Sequence, residues 1–587
     1  MAILQVVSHA ERIKQFDHIF LPLFHFTFQH VNGVRIPGSQ KDPYAKRRIA
    51  AMSATEVKEG GTGDTGGARE AGDVGEVMKV GDRREWHRRA RGLITGVVLA
   101  LLVYLFFPSN AVEVVAESAG FDPEAEYSRE AMRITAATTV LMAAWWMTEA
   151  IPLPATALIP LIAFPLFQVS SFADAASPYA NPTIFLFLGG FLLALGLQKW
   201  DLHRRMALAV VLAVGTRPKQ LVLGFMVATG FLSMWVSNTA TAVVMLPIGM
   251  SVLVLTAETV GGMKNQKKFA TGLMLAIAYS ASIGSLGTLI GTPPNALLAA
   301  YMSESHDITI GFGQWMLVGV PIAVIFTVIA WLVLTTVFKP EIDEIPGGKE
   351  LIREEIKKLG PWTKPQISVG IVFLAAALSW VFIPLILDWT GSELAIHDAM
   401  IGIIAGVLLF TIPANFKNGE RLLDWKTANE TPWDVLILFG GGLSLSAMFT
   451  QTGLSLWIGE MAKGLGTLPV ILLIFSVAAL VLFLTEFTSN TATAATFLPI
   501  MGGVAVGIGL TAGGEQNVLL LTIPVALSAT CAFMLPVATP PNAIAFGSGY
   551  VKIGEMVKGG VWLNIIALIL ITIATYLIAI PVFGIVL

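Results

Sequence analysis

Charge is scarce in this chain: only 13% of its 587 residues are Asp, Glu, Lys or Arg. Soluble domains carry about a quarter charged residues. That scarcity, with 55% hydrophobic residues and a mean hydropathy of +0.72, excludes a soluble globular protein and defines a polytopic membrane protein. A net charge of −3 leaves no basic excess, so no nucleic-acid partner is expected. The one cysteine, Cys531, excludes an intrachain disulfide framework. The eight histidines show no metal-ligand spacing, and no Gly-rich phosphate loop follows a strand. No nucleophile–base pair or metal set accompanies the apolar segments, which argues against a membrane enzyme with a cofactor.

What the chain does have is duplication. Ser-Asn-Thr-Ala-Thr occurs at 237–241 and again at 489–493. Each copy is followed by Thr-Pro-Pro-Asn-Ala, at 292–296 and 539–543. Ser237 and Ser489 lie 252 positions apart (489 − 237), and Thr292 and Thr539 lie 247 apart (539 − 292). Two motifs recurring in one order at nearly one offset indicate an internal repeat.

Taken in order, residues 1 to 90 are polar, and 59–81 is rich in Gly and acidic residues, a composition expected to stay largely disordered. The apolar segment 19–28 falls short of the roughly 20 residues a span needs. No small-residue cleavage site follows it, so it is not read as a signal peptide. Met52, followed by Ser-Ala-Thr-Glu, is an alternative start residue. Arg83, Arg84, Arg88, Arg89 and Arg91 then abut the first span and place the N-terminus in the cytoplasm.

The pattern predicts an all-α protein of about eleven transmembrane helices: 93–107, 131–148, 151–169, 182–200, 269–301, 313–338, 366–387, 397–413, 433–451, 522–551 and 560–586. The stretches 206–214 and 454–463 read as interfacial helices. The segments 221–255 and 469–509 each carry a polar centre between apolar arms. They are read as re-entrant hairpins because each arm is judged too short to cross a core of roughly 30 Å. Spans 269–301 and 522–551 have Gly-, Thr- and Pro-rich centres and are predicted to be helices broken at mid-depth, which persist only where they line a cavity. Each repeat contributes five full crossings, an odd number, so the copies are expected to be inverted.

A hairpin tip in hydrocarbon must have its backbone groups satisfied. Neutral Ser, Thr and Asn oxygens with unwound carbonyls suit a hard cation such as sodium. Four half-helices meeting there turn positive N-terminal ends toward an anion. The motifs hold no Arg or Lys, so bound sodium is expected to supply the countercharge for a dianion. Glu149 and Glu486 lie near helix ends, where capping of free N–H groups is favoured over proton relay. Trp235, Tyr301 and Phe487 are read as packing residues.

The paired Ser-Asn-Thr and Thr-Pro-Pro-Asn motifs, with Thr148-Glu149-Ala150-Ile151-Pro152-Leu153-Pro154, resemble the divalent-anion:sodium symporter family (solute carrier family 13 and its bacterial dicarboxylate relatives) over residues 90–587. The resemblance implies a homodimer in the lipid bilayer of the plasma membrane, working by an elevator motion of a transport domain against a scaffold. It implies one sodium site around Ser233, Ser237, Asn238 and Gly291, and a second around Thr485, Thr488, Asn490 and Ala538. The substrate is then expected to meet Asn238, Thr239 and Thr292 on one side, and Ser489, Asn490, Thr491 and Pro540 on the other. On this reading the chain divides into an N-terminal extension (1–90), first scaffold spans (91–181), a first-repeat core (182–338), a cytoplasmic linker (339–365), second-repeat scaffold spans (366–432) and a second-repeat core (433–587). The implied activity is sodium-coupled symport of C4-dicarboxylates such as succinate, malate or fumarate. Sodium:sulfate symport and sodium-independent dicarboxylate exchange stand as alternatives. A closed site between inverted hairpins argues against a channel.

Overall fold

The protein is described here by a computed structural model covering residues 70–119, 127–215, 217–342, 344, 348–392, 394, 396–415 and 419–586. The expectations for 1–69, among them the apolar segment 19–28 and Met52, lie outside the described residues.

Long apolar runs broken by Pro, Gly and short polar phrases give a helical protein. Its first part comprises α1 (Glu70–Phe106), α2 (Ala111–Ala119), α3 (Arg129–Thr148), α4 (Leu153–Thr156), α5 (Ile159–Leu166), α6 (Pro182–Lys199) and α7 (Leu202–Val214). A first helix pair, α8 (Pro218–Ser233) and α9 (Asn238–Thr259), precedes α10 (Lys267–Ser285), α11 (Pro293–His306) and α12 (Phe312–Val337). The middle holds α13 (Gly348–Lys358), α14 (Lys364–Thr390) and α15 (Asp398–Thr411). The second part runs through α16 (Trp433–Gln451), α17 (Leu454–Ala462), the pair α18 (Val470–Thr485) and α19 (Asn490–Gly507), then α20 (Leu519–Thr530), α21 (Pro540–Gly547) and α22 (Ile553–Ala574). Two short antiparallel strands, Pro413–Asn415 and Glu420–Arg421, form a hairpin after α15.

Seven of these helical stretches are long and apolar enough to cross a membrane, so the chain is a multi-pass membrane protein. Four expectations need correction. The third span, 151–169, is two short helices, α4 and α5, because Pro152, Pro154, Pro160 and Pro165 have no N–H to donate to a continuous helix. Residues 70–90, within the extension expected to stay largely disordered, are helical as the start of α1. The linker, for which no element was predicted, contains the charged helix α13. Finally, α9 has 22 residues and spans about 33 Å at 1.5 Å per residue, so arm length alone does not make that segment a hairpin. Its partner α8, at 16 residues, is short by the same measure.

The two broken helices form the core. Every residue from Phe269 to Ser285 is buried, as is every residue of α20. Around them the halves interlock: α11 packs on α19 and α20 of the second half, and α21 packs on α9 and α10 of the first. The polar tips therefore close on a centre built by both halves.

Candidate functional site

Each tip is made by the same local geometry. A helix ends at Ser233 or Thr485, three residues turn, and an extended serine (Ser237, φ −56°, ψ 145°; Ser489, φ −64°, ψ 131°) starts the next helix at asparagine. In both tips the last hydroxyl of one arm donates to the first amide of the next. Ser233 Oγ lies 2.8 Å from Asn238 Oδ1, and Thr485 Oγ1 lies 2.8 Å from Asn490 Oδ1. Each hydroxyl–amide pair then reaches a broken helix. Asn238 Nδ2 donates to Ser285 Oγ at 3.3 Å, and Thr485 Oγ1 also lies 2.7 Å from the Ala529 carbonyl.

The breaks are stitched by the asparagine of each Thr-Pro-Pro-Asn. Asn295 Nδ2 faces the carbonyls of Ser285 (3.3 Å), Leu286 (3.3 Å) and Thr288 (2.9 Å). Asn542 Nδ2 faces those of Ala532 (3.0 Å) and Leu535 (3.1 Å). Ser285 ends α10, and the other four carbonyls lie in the breaks beyond α10 and α20. The prolines that open α11 and α21 carry no N–H, so these two half-helices offer an anion fewer backbone donors than four equal N-termini would. Donors must come instead from hydroxyls, amides and the first turns of α9 and α19.

Most of the residues expected around the first sodium ion are brought together. Ser233, Asn238 and Ser285 form one chain of contacts, and Gly291 fits because any larger residue's Cβ would collide with the Ser285 carbonyl. Ser237 instead accepts from the Ala240 N–H at 3.3 Å and caps α9. Of the second set, Thr485 and Asn490 are joined, and Ala538 lies in the break beyond Leu535. Thr488 turns back into its own tip, toward the Leu484 carbonyl (2.9 Å) and Thr493 Oγ1 (2.6 Å). Of the expected substrate residues, Thr239 and Pro540 are exposed, Ser489, Asn490 and Thr491 are half-buried, and Thr292 is buried.

Several residues were missed. Ser285, Asn295 and Asn542 were not assigned roles, although the two asparagines stand in the duplicated phrase itself. Glu486, buried in the second tip, accepts from the N–H groups of Phe533 (2.8 Å), Met534 (3.0 Å) and Leu535 (3.2 Å) and from Asn564 Nδ2 (2.6 Å). Four donors and no acceptor around it match an ionised carboxylate, which only accepts. Its capping role is the one favoured from sequence, with the partners in the broken helix. Glu149 is exposed and follows α3 in a left-handed turn (φ 48°). Trp235 packs against Phe312 and Phe373, Phe487 against Phe483, and Tyr301 donates to or accepts from His306 Nε2 at 2.9 Å.

Paired polar tips closing on two interrupted helices in a multi-pass protein define a secondary transporter. The family described as the sodium:sulfate symporter transmembrane region matches residues 97–585. The chain is 40% identical over 502 residues to the sodium-dependent dicarboxylate transporter SdcS of Staphylococcus saprophyticus, covering 84% of this chain and 92% of the relative. It is 41% identical over 504 residues to the transporter of the same name from Staphylococcus aureus strain USA300, with the same coverage. The chain belongs to the divalent-anion:sodium symporter family, and is a transporter rather than an enzyme. Two solved structures are distant likenesses: the YdaH transporter of Alcanivorax borkumensis (TM-score 0.48, 16% identity, 76% of this chain and 98% of that one) and MtrF of Neisseria gonorrhoeae (TM-score 0.47, 11% identity, 72% and 85%).

Proposed function

We propose that this protein carries C4-dicarboxylates such as succinate, malate and fumarate across the plasma membrane together with sodium. The observation that carries the reading is the pair of hydroxyl–amide contacts, Ser233–Asn238 and Thr485–Asn490, each set against the end of a broken helix. Neutral oxygens of this kind suit sodium. The sodium-dependent dicarboxylate transporters at 40% and 41% identity support the coupling ion and the substrate class.

The four tips and breaks contain no basic residue, and two of the four half-helices begin with Pro-Pro. A dianion at their centre therefore needs the sodium ions as countercharge, and the substrate binds after them. Sodium at Ser233, Ser237, Asn238 and Gly291, and at Thr485, Thr488, Asn490 and Ala538, flanks a substrate held by Asn238, Thr239 and Thr292 and by Ser489, Asn490, Thr491 and Pro540. The chain comprises about eleven transmembrane helices in two inverted repeats with two re-entrant hairpins, and its N-terminus is cytoplasmic. A homodimer moves the substrate by an elevator-type shift of the core.

The test is radiolabelled succinate uptake into proteoliposomes with and without an inward sodium gradient, against excess unlabelled malate or sulfate. Sodium-dependent uptake blocked by malate and not by sulfate is expected. Uptake that ignores sodium and needs internal dicarboxylate would replace symport with exchange. Sulfate uptake in place of succinate uptake would move the substrate to sulfate.

A further inference from the structure

We propose that Thr530, which lies outside all four motifs, is a substrate-positioning hydroxyl that works with Thr292 on one carboxylate of the transported dianion. The proposal rests on the dicarboxylate reading above and deepens it. Thr530 is the last residue of α20 and is fully buried. Its Oγ1 lies 3.4 Å from Thr292 Oγ1, a contact that joins the two halves across 238 positions, and 3.4 Å from the Ala526 carbonyl. Both distances exceed the usual length of a hydroxyl hydrogen bond.

Thr292 is in the same condition. It stands at the N-cap of α11, where threonine ordinarily accepts from its own helix, yet it makes no such bond. The next two residues are prolines without N–H groups. Two buried hydroxyls thus face each other at the positive end of a half-helix with their bonding capacity largely unused. Each can donate one proton and accept another, which is what a carboxylate oxygen lodged between them and a neighbouring group would engage.

The other half has no such pair. Its Thr539 hydroxyl is committed to the Asn542 N–H at 3.3 Å. The position matching Thr530 at the 247-residue offset is Ile283 (530 − 247), which has no hydroxyl. The site is therefore two-ended, with a double hydroxyl on the Thr292 side only.

Thr530→Val keeps the shape and removes the hydroxyl, and Thr530→Ser restores it. Both are measured with the wild type for sodium-driven succinate uptake in proteoliposomes, with melting temperature followed in detergent. Thr530→Val is expected to raise the succinate KM about tenfold, the loss of one hydrogen bond to a charged group. The half-saturating sodium concentration and melting temperature stay at the wild-type values, and Thr530→Ser returns KM to within about twofold. An unchanged KM in Thr530→Val, or a lower maximal rate that serine does not rescue, overturns the proposal. A wild type that carries sulfate instead of succinate sinks the dicarboxylate reading alone, and the same KM comparison with labelled sulfate then decides the role of Thr530. A wild type that carries neither overturns both.

Discussion

The two halves of the molecule share backbone conformation where their tips and breaks start new helices, and finish those points with different chemistry. Ser237 and Ser489 share an extended conformation, and so do Thr292 (φ −146°, ψ 143°) and Thr539 (φ −142°, ψ 150°). The leftover polar groups are satisfied differently. In the first half the break is held by neutral groups: Thr288 Oγ1 donates to the Met234 carbonyl at 2.5 Å, and Trp315 Nε1 donates to the Leu286 carbonyl at 3.1 Å. In the second half the residue matching Met234 is Glu486 (486 − 252), and its carboxylate collects three backbone N–H groups. The caps are crossed as well. Ser237 and Thr539 cap their helices, whereas Ser489 and Thr292 do not. The two halves place matching hydroxyls at matching backbone positions and differ in which of them are used as helix caps.

The sharpest way to break this comparison is at Glu486. Glu486→Ala leaves one buried and two half-buried N–H groups without their acceptor, the buried one costing about 1–3 kcal/mol. Sodium-driven uptake is expected to vanish and the melting temperature to fall, while Met234→Ala keeps at least half of the wild-type rate. Equal losses in the two variants would show that the halves are not held differently. Asn295→Ala and Asn542→Ala probe the shared stitch instead. Each is expected to lower the uptake rate at least tenfold, to a similar degree, since each removes the amide that ties the carbonyls of its break to the following half-helix, at about 1–3 kcal/mol for a carbonyl left without a donor. A tenfold gap between them would contradict the matched roles.

The crossed caps predict a smaller, separable effect. Thr539→Val removes a helix cap and is expected to destabilise the protein by about 1 kcal/mol, seen as a lower melting temperature. Thr292→Val has no cap to lose, so it is expected to keep the melting temperature and raise the succinate KM. The reverse pattern would mean that the capping difference has no energetic weight.

The smallest effect concerns the helices flanking the cores. Charged groups tie down the end of α6 and α7: Lys199 of α6 pairs with Asp424 at 2.7 Å, and on α7 Arg204 pairs with Glu355 at 3.0 Å while Arg205 donates to the carbonyls of Leu359 (3.0 Å) and Gly360 (2.8 Å). The counterpart of α7, α17, is held by packing, with Trp457 against Phe107 and Gly459 against the Gly507 backbone. The hydrogen bond from Lys199, followed by that from the Thr427 N–H, pulls the Asp424 carboxyl from 3.8 down to about 2. Lys358 and Arg204 likewise hold Glu355 below its usual range. A depressed carboxyl stabilises above its unfolded value and loses that contribution as pH falls through the folded one. Pepsin cleavage of the 419–429 segment around Asp424, normalised to cleavage elsewhere, should therefore rise from pH 3.8 toward pH 2, with no matching rise around 454–463. A parallel rise in both would erase the distinction.

The tips and breaks were legible because their residues act locally. Pro-Pro starts a helix without N–H groups, an extended serine ends a turn, and the expected 269–301 segment appears as Lys267–Ser285 and Pro293–His306 around its polar centre. What stayed hidden depends on partners distant in sequence. Glu486 meets N–H groups 47 to 49 positions away, and Thr530 meets Thr292 across 238. Helix α13 was hidden for another reason, since Arg204 binds its Glu355 and only the folded chain shows that the charged linker has a surface to dock on. The length of α9 was misjudged because its polar start, Asn238-Thr239, reads as loop until the helix is seen to begin there.

The central claim is that both tips bind the coupled ions and substrate, one Asn from each half. It is tested most directly by sodium-driven succinate uptake of Asn238→Ala and Asn490→Ala in proteoliposomes with matched protein insertion. The account predicts that each single substitution removes uptake. Wild-type uptake in either variant would contradict it.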